Sequence, residues 1–526
     1  MTALADALPH TTGRARTDVD VGTIIVGGGY SGIAMAVGLR QAGQDDWLLL
    51  EQADDLGGVW RDNVYPGSAC DVPSYLYSLS TDQRKDWDRP CPRQPDIQDY
   101  LHDVARHHRL RERVRTGVTV TGASWDEATA RWTVETEGGG MLTCAALAMG
   151  CGQLSKPAYP AIPGREEFAG DTFHSARWDH DVPLTGRRVA VVGTGASAAQ
   201  FVPPVAEQAG HLDVYQRTAN WMLPRRNRPY APWARRLIER VPGLQRARRL
   251  GMWAFMESGI AAQTRIPPLR LGLRLWSTWH MKNQVRDPEL RRKLLPDYPI
   301  GCKRVLFSSA FLPALVRPDV EVVADPIVRV TPTGVVARAA DGTETERPVD
   351  VLIWGTGFKA QEFVWPIEIS ATDASGTTRR LADAWSEGAE AHLGITVAGF
   401  PNLFLLYGPN TNLGFGSIVV MIEAQVGYVL DALRKLRTTG AAALALRDDV
   451  HRASTDGVQR RLKSSVWANC ESWYRRGDDG RIVNNWPGQM VEYRRDTREV
   501  DLTEYRLVER TATPAEAQDD PVAVAR

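Results

Sequence analysis

What the sequence lacks narrows it first. It carries no net charge, with 63 basic residues against 63 acidic ones, so nothing in the balance points to nucleic acid or to an acidic partner. No apolar run approaches the ~18 residues of a membrane helix, which excludes a membrane span. Residues Met1 to Asp18 have no apolar stretch behind a basic start and do not read as a secretory signal. Cysteine is scarce. Cys70, Cys91, Cys144, Cys151, Cys302 and Cys470 include no C-x-x-C or C-x4-C spacing, which argues against a structural zinc site and a redox-active dithiol, so no metal is expected. A cytoplasmic location fits that usage. Against these absences stand 526 residues, enough for two or three domains, with 46 glycines and 17 tryptophans.

The glycines fall into two informative turns. Val21 to Val26 is a β-branched run that leads into Gly27-Gly28-Gly29-Tyr30-Ser31-Gly32 and then a helical pattern. This is G-x-G-x-x-G between a strand and a helix. Gly27 permits the tight turn, Gly29 lets the backbone approach a pyrophosphate, and Gly32 allows close helix–sheet packing. A second strand, Trp47 to Leu50, ends in Glu51, placed to accept hydrogen bonds from a ribose diol. Downstream, Gly57-Gly58-Val59-Trp60, Tyr65-Pro66-Gly67 and Asp71 form a glycine and aromatic loop that could lie against an isoalloxazine ring. The second turn follows the strand Arg187 to Val192 and reads Gly193-Thr194-Gly195-Ala196-Ser197-Ala198, an accepted alanine form of the motif. Thr194, Gly195, Ser197 and Gln200 would serve the pyrophosphate. The next strand ends in Arg217-Thr218 instead of an acid, and arginine there accommodates a 2′-phosphate, so FAD and NADPH are the expected cofactors.

Between the turns lies F-x-G-x-x-x-H-x-x-x-W-D, carried by Phe168, Gly170, His174, Trp178 and Asp179. This stretch and the G-G-x-W-x4-Y-P-G-x3-D loop resemble the type I Baeyer–Villiger monooxygenases, over roughly residues 21 to 490. The resemblance implies FAD neighbours at Ser31, Glu51, Val59, Trp60, Arg61, Asp62, Asp71, Tyr77, Val120 and Ile418. It implies NADPH contacts at Ala69, Cys70, Gly193, Thr194, Gly195, Ala196, Ser197, Gln200, Arg217, Thr218, Lys303, Arg304 and Trp473. Lys303 would reach the NADPH phosphate, and Arg304 would lie over the flavin, paired with Asp71; these two are the catalytic candidates. His174 would hold the link between two lobes. The chain departs from the family at Ala69, where arginine is usual.

The expected fold is α/β, with two Rossmann-like dinucleotide-binding domains and a helical insertion. Residues 1–20 would be a disordered tail, 21–155 the first part of the FAD domain, and 156–345 the NADPH domain with an insertion at 220–298. Residues 346–505 would complete the FAD domain, and 506–526 would be a second tail. The insertion is rich in arginine and tryptophan, with Pro232, Pro242, Pro267 and Pro268 breaking its helical periodicity. It reads as a helical subdomain over the active site or, alternatively, as a basic amphipathic membrane-binding element. The resemblance implies conversion of a lipophilic ketone to an ester or lactone with NADPH and O2, through a C4a-peroxyflavin. Two other readings stand beside it: an N- or S-oxygenating flavin monooxygenase, which usually lacks Trp178-Asp179, and a non-catalytic flavin-binding protein, which need not keep Lys303 and Arg304.

Overall fold

In the computed structural model, residues 20–509 are described except 226, 470, 471, 473 and 477–479. Trp473 and both expected tails, apart from residues 20 and 506–509, lie outside the described residues. Two sheets, the first mixed with a parallel centre and the second parallel throughout, are built on the two glycine turns. In the first, Asp20–Val26 lies between Trp47–Leu50 and Met141–Met149, all parallel, with Val26 level with Leu50 on one side and Met149 on the other. Val120–Asp126 and Arg131–Thr136 extend this sheet as an antiparallel meander. Leu403–Leu405 returns from far along the chain to pair beside Met149.

Alternation along the central strand distributes its side chains between two cores. Ile25 packs with the helices Tyr30–Gln41 and Ile418–Thr439, whereas Ile24 and Val26 pack on the meander side. Both faces are covered, which is why the strand reads as a continuous apolar run. The second sheet repeats this arrangement. Its order is Val320–Val323, His211–Tyr215, Arg188–Val192, Val351–Trp354 and Asp171–His174, all parallel.

That order corrects two boundaries. The strand ending at Trp354 belongs to the second sheet, between Arg188–Val192 and Asp171–His174. The chain therefore leaves this lobe after Trp354 and not at residue 346. At the far end, Tyr505–Val508 pairs with Ala443–Leu446, so ordered chain continues past the expected limit at 505. In the insertion, helices begin at Pro232 and Pro267; these prolines start helices, where a missing N–H costs nothing, and do not break them. Cys70, Cys91, Cys144 and Cys151 are free thiols, while Cys302 is disulfide-bonded, a cross-link that no short cysteine spacing announces.

The Phe-Gly-His-Trp-Asp stretch forms the edge of the second sheet. Its residues divide the work of fixing that edge. Phe168 is buried in the core beneath the sheet. A Cβ on Gly170 would lie 2.6 Å from the Asp350 carbonyl oxygen. Trp178 stacks edge-on against Phe173 at 5.1 Å and tilts against Phe201 at 5.3 Å. Asp179 caps a turn by accepting from the Asp181 N–H at 2.9 Å.

His174 is fully buried. Its Nδ1 accepts the Ala176 N–H at 3.1 Å, and its ring meets Tyr159 and Phe358 edge-on at 5.3 and 5.9 Å. Those two aromatics lie on the two segments that cross between lobes. Pro157 and Phe358 form an antiparallel bridge, the Ala158 N–H donates to the Gly357 carbonyl at 2.9 Å, and the Thr356 hydroxyl donates to the Ala158 carbonyl at 2.6 Å. His174 thus sits under the double crossover.

Burial lowers the His174 pKa from 6.5 to about 4, so the ring is neutral at pH 7. The unfolded chain binds the proton more readily, so this residue's contribution to stability is intact above about pH 6.5 and is lost as pH falls towards 4. We expect the urea midpoint of the protein to drop between pH 7.5 and pH 5, and the drop to be smaller in His174→Asn. Equal acid sensitivity in the two proteins would contradict the assignment.

Candidate active site

The first glycine turn is closed by its own packing. Gly27 has φ +101°, and a Cβ on Gly32 would stand 1.8 Å from the Gly27 carbonyl oxygen, so the helix can approach only without a side chain there. Glu51 is buried at the tip of its strand. Its Oε2 accepts the Gly28 N–H at 2.6 Å, and its Oε1 accepts the Ala53 N–H at 2.9 Å. Val59–Asp62 make one helical turn, from which Arg61 reaches Glu51 Oε1 at 3.2 Å and Asp62 Oδ1 at 2.8 Å. Ser31 is buried inside the first turn of its helix, and Val120 is buried at the start of the meander. Trp60 donates through Nε1 to the Tyr77 hydroxyl at 3.1 Å, and Tyr30 meets the Tyr77 ring edge-on at 5.1 Å. These rings form an aromatic wall near the glycine turn. Ile418 opens the long helix and packs against the same core.

The second turn is open. Gly195 and Ala196 are exposed, and a Cβ on Gly195 would meet nothing within 4 Å. Over Gly29 a Cβ would meet only the Gly58 Cα, at 3.6 Å. Both middle glycines therefore front free space that a pyrophosphate could enter, and the residues present fit two dinucleotides. The Thr194 hydroxyl and carbonyl are held by Asn220 Nδ2 at 3.1 and 2.8 Å, and the Thr194 hydroxyl also lies 3.4 Å from the Thr218 carbonyl. Arg217 is exposed and makes no ion pair with any described residue, so its guanidinium is available to an anion.

The loop between Tyr65 and Asp71 connects the two sites. Gln200, on the second lobe, accepts the Ala69 N–H at 3.1 Å and the Tyr65 hydroxyl at 3.2 Å, and donates to the Ala69 carbonyl at 2.9 Å. Ala69 thus contributes its backbone. A Cβ on Gly67 would lie 2.7 Å from the Gln200 carbonyl oxygen, and Tyr65 packs edge-on against Phe201 at 5.8 Å. Arg225 donates to the Cys70 carbonyl, which puts a guanidinium beside this loop although Ala69 replaces the expected arginine. Cys70 itself is buried, and desolvation followed by the charge of Asp71 pushes its thiol pKa well up.

At the end of the loop, Arg304 Nη2 donates to Asp71 Oδ1 at 2.7 Å and Oδ2 at 2.9 Å. The carboxylate raises the guanidinium pKa above its ordinary value, so Arg304 is a permanent cation. Its side chain remains 37% exposed. Lys303 lies over the Tyr298 ring at 4.8 Å. Tyr407 and Tyr474 are near enough for Arg304's charge to act on their hydroxyls. Burial nonetheless raises both pKa values, that of Tyr474 to about 12, so both are neutral donors.

Behind Arg304 lies a buried amide network that sequence reading does not reveal. The Tyr407 hydroxyl donates to Asn412 Oδ1 at 2.9 Å, Asn412 Nδ2 donates to Asn485 Oδ1 at 2.9 Å, and Gln153 Nε2 donates to the Tyr407 carbonyl at 3.0 Å. Asn484 closes it on Gln153 Oε1 at 3.0 Å. Tyr407 adopts φ +62°, a left-handed conformation held by these bonds.

Two sheets, each with a glycine turn facing free space, and an arginine–carboxylate pair at their junction define an oxidoreductase that takes two dinucleotides. The pyridine nucleotide-disulphide oxidoreductase family model matches residues 24–245. A Baeyer–Villiger monooxygenase of Pseudomonas aeruginosa is 42% identical over 94% of this chain and 92% of the relative, and one of Streptomyces coelicolor is 42% identical over 94% and 93%. Among solved structures, an oxidised steroid monooxygenase bound to NADP superposes with a TM-score of 0.81 at 29% identity, covering 94% of this chain and all of the other. A closed cyclohexanone monooxygenase gives 0.82 at 26%, covering 93% and 99%. The chain belongs to the Baeyer–Villiger monooxygenase family and is a flavin-dependent monooxygenase.

The two open glycines and the closed one should respond differently to a methyl group. Gly32→Ala should yield little soluble, flavin-loaded protein. Gly195→Ala should keep its melting temperature, as a surface change costs within about 0.5 kcal/mol, while raising KM for NADPH about tenfold or more. An unchanged KM would place the nucleotide elsewhere.

Proposed function

We propose that the chain inserts one oxygen atom from O2 beside the carbonyl of a lipophilic ketone, giving an ester or lactone, with FAD in the first lobe and NADPH in the second. The Arg304–Asp71 pair at the junction of the two sites, in which Nη2 reaches both carboxylate oxygens, carries this reading. When bound, the flavin, once reduced by NADPH, supplies the activated oxygen. The protein then has to position groups and balance charge.

In the flavin lobe, Glu51 would accept the ribose hydroxyls, the N-terminus of the helix Tyr30–Gln41 would receive the pyrophosphate, and Trp60 and Tyr77 would bound the ring. In the second lobe, Arg217 would take the 2′-phosphate as a bidentate partner, assisted by Lys303. Arg304, held charged by Asp71, would stabilise negative charge as it develops on the substrate's carbonyl oxygen. A cation fixed before the reaction needs no reorganisation during it. Asp71 and the Gln200 latch would fix its position, and Tyr407 and Tyr474 would add neutral donors without competing for a proton. The Phe307, Phe415 and Phe255 rings, in contact at 5.7 and 5.9 Å, would give an apolar wall suited to a lipophilic ketone.

Aerobic incubation of the purified flavoprotein with NADPH and a panel of cyclic, aliphatic and steroidal ketones should yield a product heavier by one oxygen atom, read by mass spectrometry. Arg304→Ala should retain flavin and lose about 10²–10³-fold in ester formation. NADPH oxidation with no oxygenated product from any ketone would overturn the proposal, as would oxygenation confined to amines or sulfides.

A further inference from the structure

Three consecutive helices, Pro232–Arg240, Leu244–Thr264 and Pro267–Gln284, pack side by side. Their inner faces are fully committed. Met256 and Ile260 join the core that includes Phe415, and Gly259 admits the Phe415 ring, since a Cβ there would lie 2.1 Å from it. Ser277 exchanges hydrogen bonds with the Met222 N–H and carbonyl at 3.2 and 2.8 Å, and His280 Nε2 lies 3.1 Å from the Ser308 carbonyl. Among the described residues the exposed side chains of the outer faces have no such partners. Of the eighteen strongly exposed large apolar side chains among the described residues, eleven fall between residues 232 and 284. They include Trp233 at 69%, Leu250 at 70%, Leu275 at 62% and Trp279 at 59% exposure, and Leu271. A soluble surface scatters such residues; a concentration of this kind marks an interaction face.

Charge identifies the occupant. The same span holds ten basic residues and only two acidic ones; Arg235, Arg248, Arg249 and Arg265 are bound to other parts of the protein, and the exposed remainder is still basic, in a protein whose total charge is zero. Exposed arginines such as Arg236, Arg240 and Arg274 are interleaved with the tryptophans and leucines. A second copy presenting the same face would bring like charges together, which disfavours a symmetric dimer here. Bulky apolar and aromatic side chains mixed with arginine over several short helices suit the headgroup–acyl boundary of an anionic bilayer, where the rings and leucines bury and the guanidinium groups meet lipid phosphates. No helix among the described residues is long and apolar enough to cross a membrane.

We propose that the outer face of these three helices docks the protein on an anionic lipid surface. This inference does not depend on the oxygenation chemistry. The test is co-sedimentation of the full flavin-loaded protein with vesicles of phosphatidylcholine alone and of phosphatidylcholine with phosphatidylglycerol. The protein should bind the anionic vesicles, and raising the salt should release it. Leu271→Glu/Leu275→Glu should lower the partition about tenfold or more, and Arg240→Glu/Arg274→Glu should do likewise. Both variants change exposed side chains and should keep the flavin spectrum and melting temperature, which separates lost docking from lost folding. Failure to bind anionic vesicles, equal binding to both kinds of vesicle, indifference to both double substitutions, or a concentration-dependent dimer disrupted by Leu271→Glu/Leu275→Glu would overturn the proposal.

Discussion

The proposed chemistry depends on one contact, the ion pair between Arg304 and Asp71, whose partners are 233 positions apart in the chain. Its net contribution to stability is small. Side chains 37% and 18% exposed are partly solvated, and such pairs are worth about 0–1 kcal/mol. The contact therefore does not hold the lobes together; the packing around it holds the contact. Gln200 clamps Ala69 from the second lobe, Gly67 admits the Gln200 backbone, and Tyr65 lies on Phe201. Deleting a buried ring such as Phe201 costs about 3–5 kcal/mol, several times what the ion pair supplies. Packing provides the energy and the ion pair provides a placed charge.

The same division explains the Phe-Gly-His-Trp-Asp stretch. Its residues reach the second nucleotide turn only through Trp178, which packs on Phe201 in the helix that the turn opens, and they determine where the second sheet ends and how the chain crosses between lobes. Phe168 and Trp178 fill two cores on opposite faces of that sheet. Gly170 avoids the Asp350 carbonyl, and His174 lies beneath the paired crossover segments. At neutral pH the ring carries no charge. Its contacts are with the edge of the second sheet and with the crossover segments.

Much of this was legible in the sequence, because nucleotide turns are local. Strand, glycines and helix lie within about a dozen residues, so Gly27 to Gly32, Gly193 to Ser197, Glu51 and Arg217 could be placed by spacing alone. The pairing of Arg304 with Asp71 came from a family resemblance, since nothing local connects them. Other features were hidden. The Gln153–Asn484 bond joins residues 331 apart, and amides at that separation have no periodicity to betray them. Residues 351–354 were misplaced because an apolar strand followed by a glycine looks the same whichever sheet receives it; only the register with Arg188–Val192 and Asp171–His174 decides. Pro267 and Pro268 look like breakers in the sequence because the same residue starts and stops helices, and position relative to the helix settles which.

In this site Asp71 would act through Arg304 and not independently. A double-mutant cycle on ester formation, comparing Asp71→Asn, Arg304→Lys and the double variant in flavin-loaded protein, tests this most directly. Coupled residues give non-additive effects, so the double variant should be little slower than the slower single one. Losses that multiply, with each substitution acting independently of the other, would contradict the account.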